Sequence, residues 1–415
     1  MLIVLRNSWA LLLGVMLLML GNGIQGTLLG IRGKIEGFSP FEMSFVMAAY
    51  YAGFLLGSRM APEMIRRVGH VRVFAALGSL ISAVLILYPV APNWMLWVAM
   101  RIIVGFAFSG VYITSESWLN ASSTNETRGQ ALSAYMIMQM VGIISAQALL
   151  NFRDPGGFDL FIIASILVSV AFTPILLSAS PAPAFERTKP LSIPRLFRAS
   201  PLGCVGMFLM GGIFSAQFGM ASVWGSEVGL SVRNLSIFVG AIYVGGLVFQ
   251  YPIGMISDRF DRRRVILALA AAGALVCVVA YGFPRNFTIL VGVGLMSGGI
   301  ANPLYSLIVA YVNDYMDKSE MAGASAGLMF INGLGAIGGP VITGWFMGQF
   351  GPGGYFLFMS LLFGTLAAYA LWRMTQRRAI AFARTGSFRT LSPSASAVAV
   401  EAAIEARSEP GAAPR

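Results

Sequence analysis

Histidine occurs once in these 415 residues, cysteine twice, and charged side chains make up only 11% of the chain. His70, Cys204 and Cys277 are too few and too scattered to hold a zinc ion, so no metal is expected. The same scarcity removes histidine-dependent catalysis. Gly323-Ala-Ser325-Ala-Gly327 has the spacing of a nucleophile elbow, but that motif needs a strand–turn–helix and a nearby histidine partner. Gly333-Leu-Gly335-Ala-Ile-Gly338 has dinucleotide-fingerprint spacing, yet no strand precedes it. Neither an enzyme nor a cofactor is expected. The two cysteines imply no disulfide framework.

What the chain has instead is apolar length. It is 57% hydrophobic with mean hydropathy +0.76, far from the balance of a soluble protein. A helix needs about 20 apolar residues to cross the hydrocarbon. Stretches that qualify run roughly over 8–30, 41–60, 72–90, 94–116, 129–151 and 158–179. Six more follow at 200–225, 234–256, 264–283, 287–312, 321–348 and 353–376. The expected fold is an all-α membrane protein of twelve transmembrane helices.

The two sets of six are related. Shifted by 192 residues, Gln25 falls on Gln217, Tyr51 on Tyr243, Gly53 on Gly245, Arg72 on Arg264 and Pro92 on Pro284. Gly33-x-x-x-Gly37-Phe38-Ser39 falls on Gly225-x-x-x-Gly229-Leu230-Ser231. Two pseudo-symmetric six-helix halves follow, and duplicated helix bundles are the architecture of secondary transporters. We place an N-terminal bundle at 1–179, a cytoplasmic linker at 180–198 and a C-terminal bundle at 199–378. An Ala-, Ser- and Pro-rich tail at 379–415 is expected to be disordered.

Charge sets the orientation. With both termini cytoplasmic, 22 of the 28 lysines and arginines fall in the termini and cytoplasmic loops. Arg32, Lys34, Arg153, Arg233 and Arg285 fall on the other face, and Arg101 lies within a span. The formal charge of +11 is thus explained by topology and anionic lipid, and no nucleic-acid partner is implied. The apolar run after Arg6 is too long for a signal peptide and lacks a cleavage site, so it reads as the first span. The expected setting is the bacterial inner membrane, multi-pass, with a monomeric protein in the lipid bilayer.

The loop after the eighth span, Gly254-Met-Ile-Ser-Asp258-Arg259-Phe-Asp261-Arg262-Arg263-Arg264, resembles the signature between the second and third helices of each half in the major facilitator superfamily. Asp261 replaces the penultimate glycine. The resemblance implies a conformational latch of Gly254, Asp258, Arg259, Arg262 and Arg263, with Asp258 meeting a neighbouring helix N-terminus or arginine. The first-half copy keeps Arg67 and Gly69 but puts Arg66 where the acid belongs, with Glu63 one turn earlier. Arg101-x-x-x-Gly105 resembles the family's second motif, and Glu116-Ser-Trp-Leu-Asn resembles one bacterial branch of it. The family implies transport by alternating access.

A solute would sit at mid-membrane between the halves. The candidates are Asn22, Gln25, Arg101, Tyr112, Gln139, Gln217, Tyr243, Asn302, Tyr305 and Asn332. The symmetric pair Gln25 and Gln217 ranks first. Tyr50, Tyr51, Phe108, Phe214 and Trp224 could add ring contacts. For coupling, Arg101 and Glu116 are the candidates. Glu116, Asp159 and Glu227 read as interfacial, which leaves facilitated diffusion open beside proton coupling. The fifth span has no proline, unlike drug antiporters of the family, which favours uptake over export. An amide- and aromatic-rich lining suits an uncharged or weakly charged flat solute. Similarity to proteobacterial riboflavin carriers makes a riboflavin-like vitamin the first named expectation. The rivals are a proton-coupled drug or metabolite exporter and, less favoured, a transporter-like sensor.

Overall fold

A computed structural model describes residues 2–121, 123–176, 191–317, 320–376 and 388. All regular structure in them is helical. In order these are α1 (Leu2–Ile35), α2 (Pro40–Val68), α3 (His70–Val90), α4 (Trp94–Ala121), α5 (Asn125–Leu149) and α6 (Asp159–Leu176). After them come α7 (Ile193–Ala199), α8 (Pro201–Ser215), a π-helical turn (Ala216–Met220), α9 (Ala221–Glu227) and α10 (Val232–Ser257). The last are α11 (Arg262–Gly282), α12 (Phe287–Asn313), α13 (Met321–Phe350) and α14 (Gly354–Gln376). Among the described residues ten stretches are long and apolar enough to cross a membrane, α8 to α9 counting as one. Helix α2 is less apolar because its sequence mixes glycines, tyrosines and a charged end. In α6 only Asp159–Pro174 counts as apolar helix. The expected linker, 180–198, holds all of α7 but its last residue, Ala199, with 180–190 outside the described residues, as is the expected tail apart from Phe388.

Local chemistry explains the repeated motif. Gly37 and Gly229 adopt positive φ, +80° and +77°, which glycine alone adopts without strain. The following amides bond back across the helix end, Phe38 N–H to Gly33 O and Leu230 N–H to Gly225 O, both at 2.9 Å. Ser39 then caps α2, accepting from Glu42 N–H in a full capping box, and Ser231 caps α10 by accepting from Asn234 N–H. One sequence string thus ends a helix and starts the next, twice.

Packing repeats as well. Helices α1 to α6 pack chiefly with one another, as do α8 to α14, and the two groups meet through α2–α13, α5–α10 and α1–α9. Within the first group a side chain at Gly142 would strike the Met16 carbonyl, one at Gly53 that of Ile102, and one at Gly105 that of Tyr50. In the second, Gly335 stands so to Phe208, Gly245 to Leu295 and Gly298 to Ile242. The spacing between equivalents is 192 up to α11 (Gly53 to Gly245) and 193 from α12 on (Gly105 to Gly298). One extra residue enters before α12, between Pro284 and Asn286. The helices beyond it restart in register, with Asn93 Oδ1 accepting from Leu96 N–H and Asn286 Oδ1 from Ile289 N–H.

Candidate functional site

Where the two groups meet lies a cavity of about 570 Å³, ample for a small organic solute. Helices α1, α2, α4 and α5 form one side, and α8, the π-helical turn, α10, α12 and α13 the other. It runs from buried Arg101 to exposed Arg59 and to Leu191–Ile193 beside α7. The other end is closed where α1 crosses α9. Gly30 packs on Ser222, its repeat equivalent, the Ser222 hydroxyl donates to Gly26 O at 3.4 Å, and Lys34 Nζ meets Glu227 at 2.9 Å. Arg32 ties α1 to the Gly156 carbonyl.

Of the residues expected from sequence, Asn22, Arg101, Tyr112, Gln139, Tyr243, Asn302 and Asn332 line this cavity. Gln25, Gln217 and Tyr305 are buried but do not. The reason is helical phase. The faces turned inward are Asn22, Gly26 and Thr27 on α1 and their equivalents Phe214, Phe218 and Gly219, so Gln25 and Gln217 both point elsewhere. Gln25 faces Tyr88 Oη at 3.5 Å, and Gln217 lies in the π-helical turn, where its carbonyl accepts from Tyr355 Oη at 3.5 Å. Tyr305 stands behind Phe214, ring centroids 5.8 Å apart.

The symmetric pairs that are polar on both sides and share the cavity are Tyr51 with Tyr243, Ser109 with Asn302, and Gln139 with Asn332. The last two follow the 193-residue spacing and were invisible at a fixed offset of 192. Asn332 Nδ2 donates to Met207 O (3.1 Å) and Asn302 Nδ2 to Gly298 O (3.2 Å), which hold these amides by one end. Aromatic rings build both walls. Tyr50 lies edge-on to Tyr51 (5.4 Å), Phe54 packs on Tyr112 (6.0 Å), and opposite them Phe214 stacks on Phe218, which meets Tyr243 at 4.8 Å.

Arg101 is 5% exposed, its guanidinium 4.7 Å above the Tyr50 ring and Nη2 3.7 Å from Met47 Sδ. It therefore faces the interior rather than reaching for a surface. Glu116, expected near an interface, is fully buried, within electrostatic reach of Tyr135 and Tyr305. Glu227 is engaged by Lys34, and Asp159 lies 3.5 Å from Arg153. None of these three carboxylates lines the cavity.

At the far end of α10, the loop expected to act as a latch is structured by its charges. Asp258 ends α10, lies 3.5 Å from Arg262, and accepts the Phe388 backbone N–H at 2.6 Å, while the Phe388 ring covers Gly254. Asp261, in place of glycine, caps α11 and pairs with Arg263 at 2.8 Å. Burial would raise the Asp261 carboxyl pKa, but its bonds from the Arg263 side chain and backbone hold it below the ordinary value. The shortest contact is one the motif does not contain: Arg262 Nη1 to buried Asp314 at 2.5 Å, with a second bond to Ala310 O. In the first half Glu63 takes both Arg66 and Arg67 at 2.7 Å, and their hydrogen bonds lower its carboxyl to about 2. His70, expected in a loop, instead begins α3 and is buried at the repeat position of Arg262. Its Nε2 lies 2.9 Å from Ser117 Oγ on α4, much as Arg262 reaches α12.

The family model of the Major Facilitator Superfamily matches residues 11–216 and 202–395. YfkF of Bacillus subtilis (strain 168), described as an uncharacterised MFS-type transporter, is 25% identical over 358 residues, 84% of this chain and 91% of its own. YcaD of Escherichia fergusonii, described likewise, is 23% identical over 347 residues, 82% and 89% of the two chains. Among solved structures, a mutant of the nucleoside transporter NupG superposes with TM-score 0.76 at 15% identity, covering 88% of this chain and 99% of that one. A bacterial homologue of the human lysosomal transporter Spinster, inward-facing and unoccupied, gives 0.66 at 15% identity, covering 98% and 99%. At such identities the superpositions speak for the fold.

Proposed function

The chain belongs to the Major Facilitator Superfamily, and on that premise we propose that it imports a small polar organic solute by alternating access, with the cavity between its halves as the binding site. It acts as a non-enzymatic transporter of small solutes. The observation that carries the alternating-access reading is the cavity's one-sided access, closed at the Lys34–Glu227 end and reaching exposed Arg59 and the linker residues at the other, while the proline-free fifth span supports uptake. In this reading twelve spans form two six-helix halves, counting α2 and α6 as spans and α8 to α9 as one. Helix α7 lies on the cytoplasmic side with both termini, in a bacterial inner membrane, and the state is inward-open. The positive-inside bias and the repeated glycine contacts support this arrangement. Gln139, Asn332, Ser109 and Asn302 would bond the solute's polar edges, while Tyr50, Tyr51, Phe218 and Tyr243 would cover a flat ring. Riboflavin, named from resemblance, is the first compound to try. Expression in a riboflavin auxotroph at micromolar external vitamin tests it: rescue identifies the solute. Failure by protein verified in the membrane removes riboflavin and leaves the carrier reading to transport assays with other solutes.

A further inference from the structure

Among the described residues, the cavity lining carries two cations and no carboxylate. Among its lining residues the ionisable groups besides tyrosine are Arg59 and Arg101, and Asp and Glu are absent from that lining. Arg101 is the more telling. Its side chain is nineteen-twentieths buried, and no carboxylate among the described residues comes within ion-pairing distance. Its neighbours are the Tyr50 ring and the Met47 sulfur, while Nε has no hydrogen-bond partner. A buried cation without a counter-charge is costly, because a ring face and a thioether replace only part of its hydration. Topology does not explain it either. The positive-inside bias acts on loops, whereas Arg101 lies in α4 near the closed end of the cavity. Nor is the charge part of the duplicated scaffold, since glycine stands at its repeat equivalent, Gly294, and tyrosine at that of Arg59, Tyr251.

We infer that the solute is a flat-ringed organic acid whose carboxylate docks on Arg101 at the closed end of the cavity. The assignment rests on the carrier reading above and refines its substrate class. Arg59, about 13 Å further along α2 from Tyr50 at 1.5 Å per residue, sits at the open end with its guanidinium 4.5 Å over Phe330. A positive mouth and a positive floor between low-dielectric walls favour anions and disfavour organic cations. A guanidinium presents paired N–H donors suited to a carboxylate. One more buried group on the wall, Ser109 Oγ, is a donor without a partner among the described residues. A single buried arginine balances a monoanion, whereas a doubly charged phosphate would leave a charge uncompensated at that depth.

The test uses purified full-length protein and three matched pairs: 4-hydroxybenzoate and its amide, nicotinate and nicotinamide, indole-3-acetate and indole-3-acetamide. Dissociation constants are measured for wild type, Arg101→Gln and Arg101→Lys. At least one acid should bind about tenfold or more tighter than its amide, a gap of 1.4 kcal/mol. Arg101→Gln should bring that ratio near one, and Arg101→Lys, which keeps the charge but not the paired donors, should retain part of it, which separates charge from folding. Acid and amide binding alike, amides binding tighter, or no acid-specific binding in any pair overturns the assignment. So does riboflavin rescue of the auxotroph, since riboflavin carries no carboxylate, although it would leave the carrier reading standing. An acid that binds selectively yet never crosses a proteoliposome membrane would instead defeat the carrier reading.

Discussion

Lys34 and Glu227 join the two groups of helices where they pinch together, ammonium to carboxylate at 2.9 Å, on helices α1 and α9. Lys34 is half-exposed, so the pair contributes about 1 kcal/mol at most. That suits the proposed cycle, in which this contact must break. Lys34→Gln or Glu227→Gln should shift the population up to about fivefold toward the state open at this end. The charge-swapped double variant should restore it. Thiol labelling of a cysteine at Ser222 would read the shift, and unchanged labelling in both single variants would remove the pair from the gate.

The paired amides Gln139 and Asn332 should govern affinity. Replacing either by alanine is expected to weaken solute binding by about 1–3 kcal/mol through lost hydrogen bonds, with little change in the melting temperature for Gln139→Ala and a modest drop for Asn332→Ala, which also loses its bond to Met207 O. Gln25→Ala and Gln217→Ala, buried outside the cavity, should lower the melting temperature and leave half-saturation nearly unchanged. The opposite pattern would return the site to the glutamine pair.

Much of this was legible in the chain before folding. The helix-ending glycines Gly37 and Gly229, the caps Ser39 and Ser231, and the Tyr51–Tyr243 pair all follow from one offset. What was not legible has a physical reason in each case. A single residue inserted before α12 changed the register, so Ser109 could not be matched with Asn302 nor Gln139 with Asn332. Gln25 and Gln217 do match in sequence, but the cavity-facing sides of their helices are set by Asn22, Gly26 and their equivalents. Arg262 was recognisable as part of a motif. Its partner Asp314 lies 52 residues away with no signal of its own, and the equivalence of His70 with Arg262 is one of position rather than residue type.

The Arg262–Asp314 pair is buried on both sides, with 4% and 3% of the side chains exposed. Removing one member should destabilise the protein by about 3–5 kcal/mol, as for other buried pairs. Asp314→Asn should therefore lower the melting temperature sharply. Asp258 is part-exposed and makes the longer contact, so Asp258→Asn should slow turnover while the melting temperature changes little. Equal loss of stability in the two variants would contradict this division between structure and latch.

Glu63 provides a pH prediction. Its hydrogen bonds from Arg66 and Arg67 depress its carboxyl to about 2 in the folded chain, so they persist above the ordinary carboxylate range. They are lost as pH falls from that range toward about 2. Any pH dependence of transport between pH 5 and 8 must then persist in Glu63→Gln. Its disappearance in that variant would show that Glu63 titrates near neutrality.

The close approaches at Gly53 and Gly245 should respond alike. A methyl group at either meets a backbone carbonyl, of Ile102 or Leu295. Gly53→Ala and Gly245→Ala should each cost about 1–3 kcal/mol by overpacking. Thermal unfolding of both variants checks this, and a large difference between them would weaken the symmetry.

Alternating access itself can be tested without knowing the solute. With Cys204 and Cys277 replaced by serine, a single cysteine at Tyr243, on the cavity wall, is exposed to a membrane-impermeant thiol reagent from each face in turn. The account predicts rapid labelling from the face bearing the linker, slow labelling from the opposite face, and faster labelling from that opposite face when Lys34→Gln is added. Labelling from the linker face alone, in both backgrounds, would contradict it and describe a protein that binds its solute but does not carry it across.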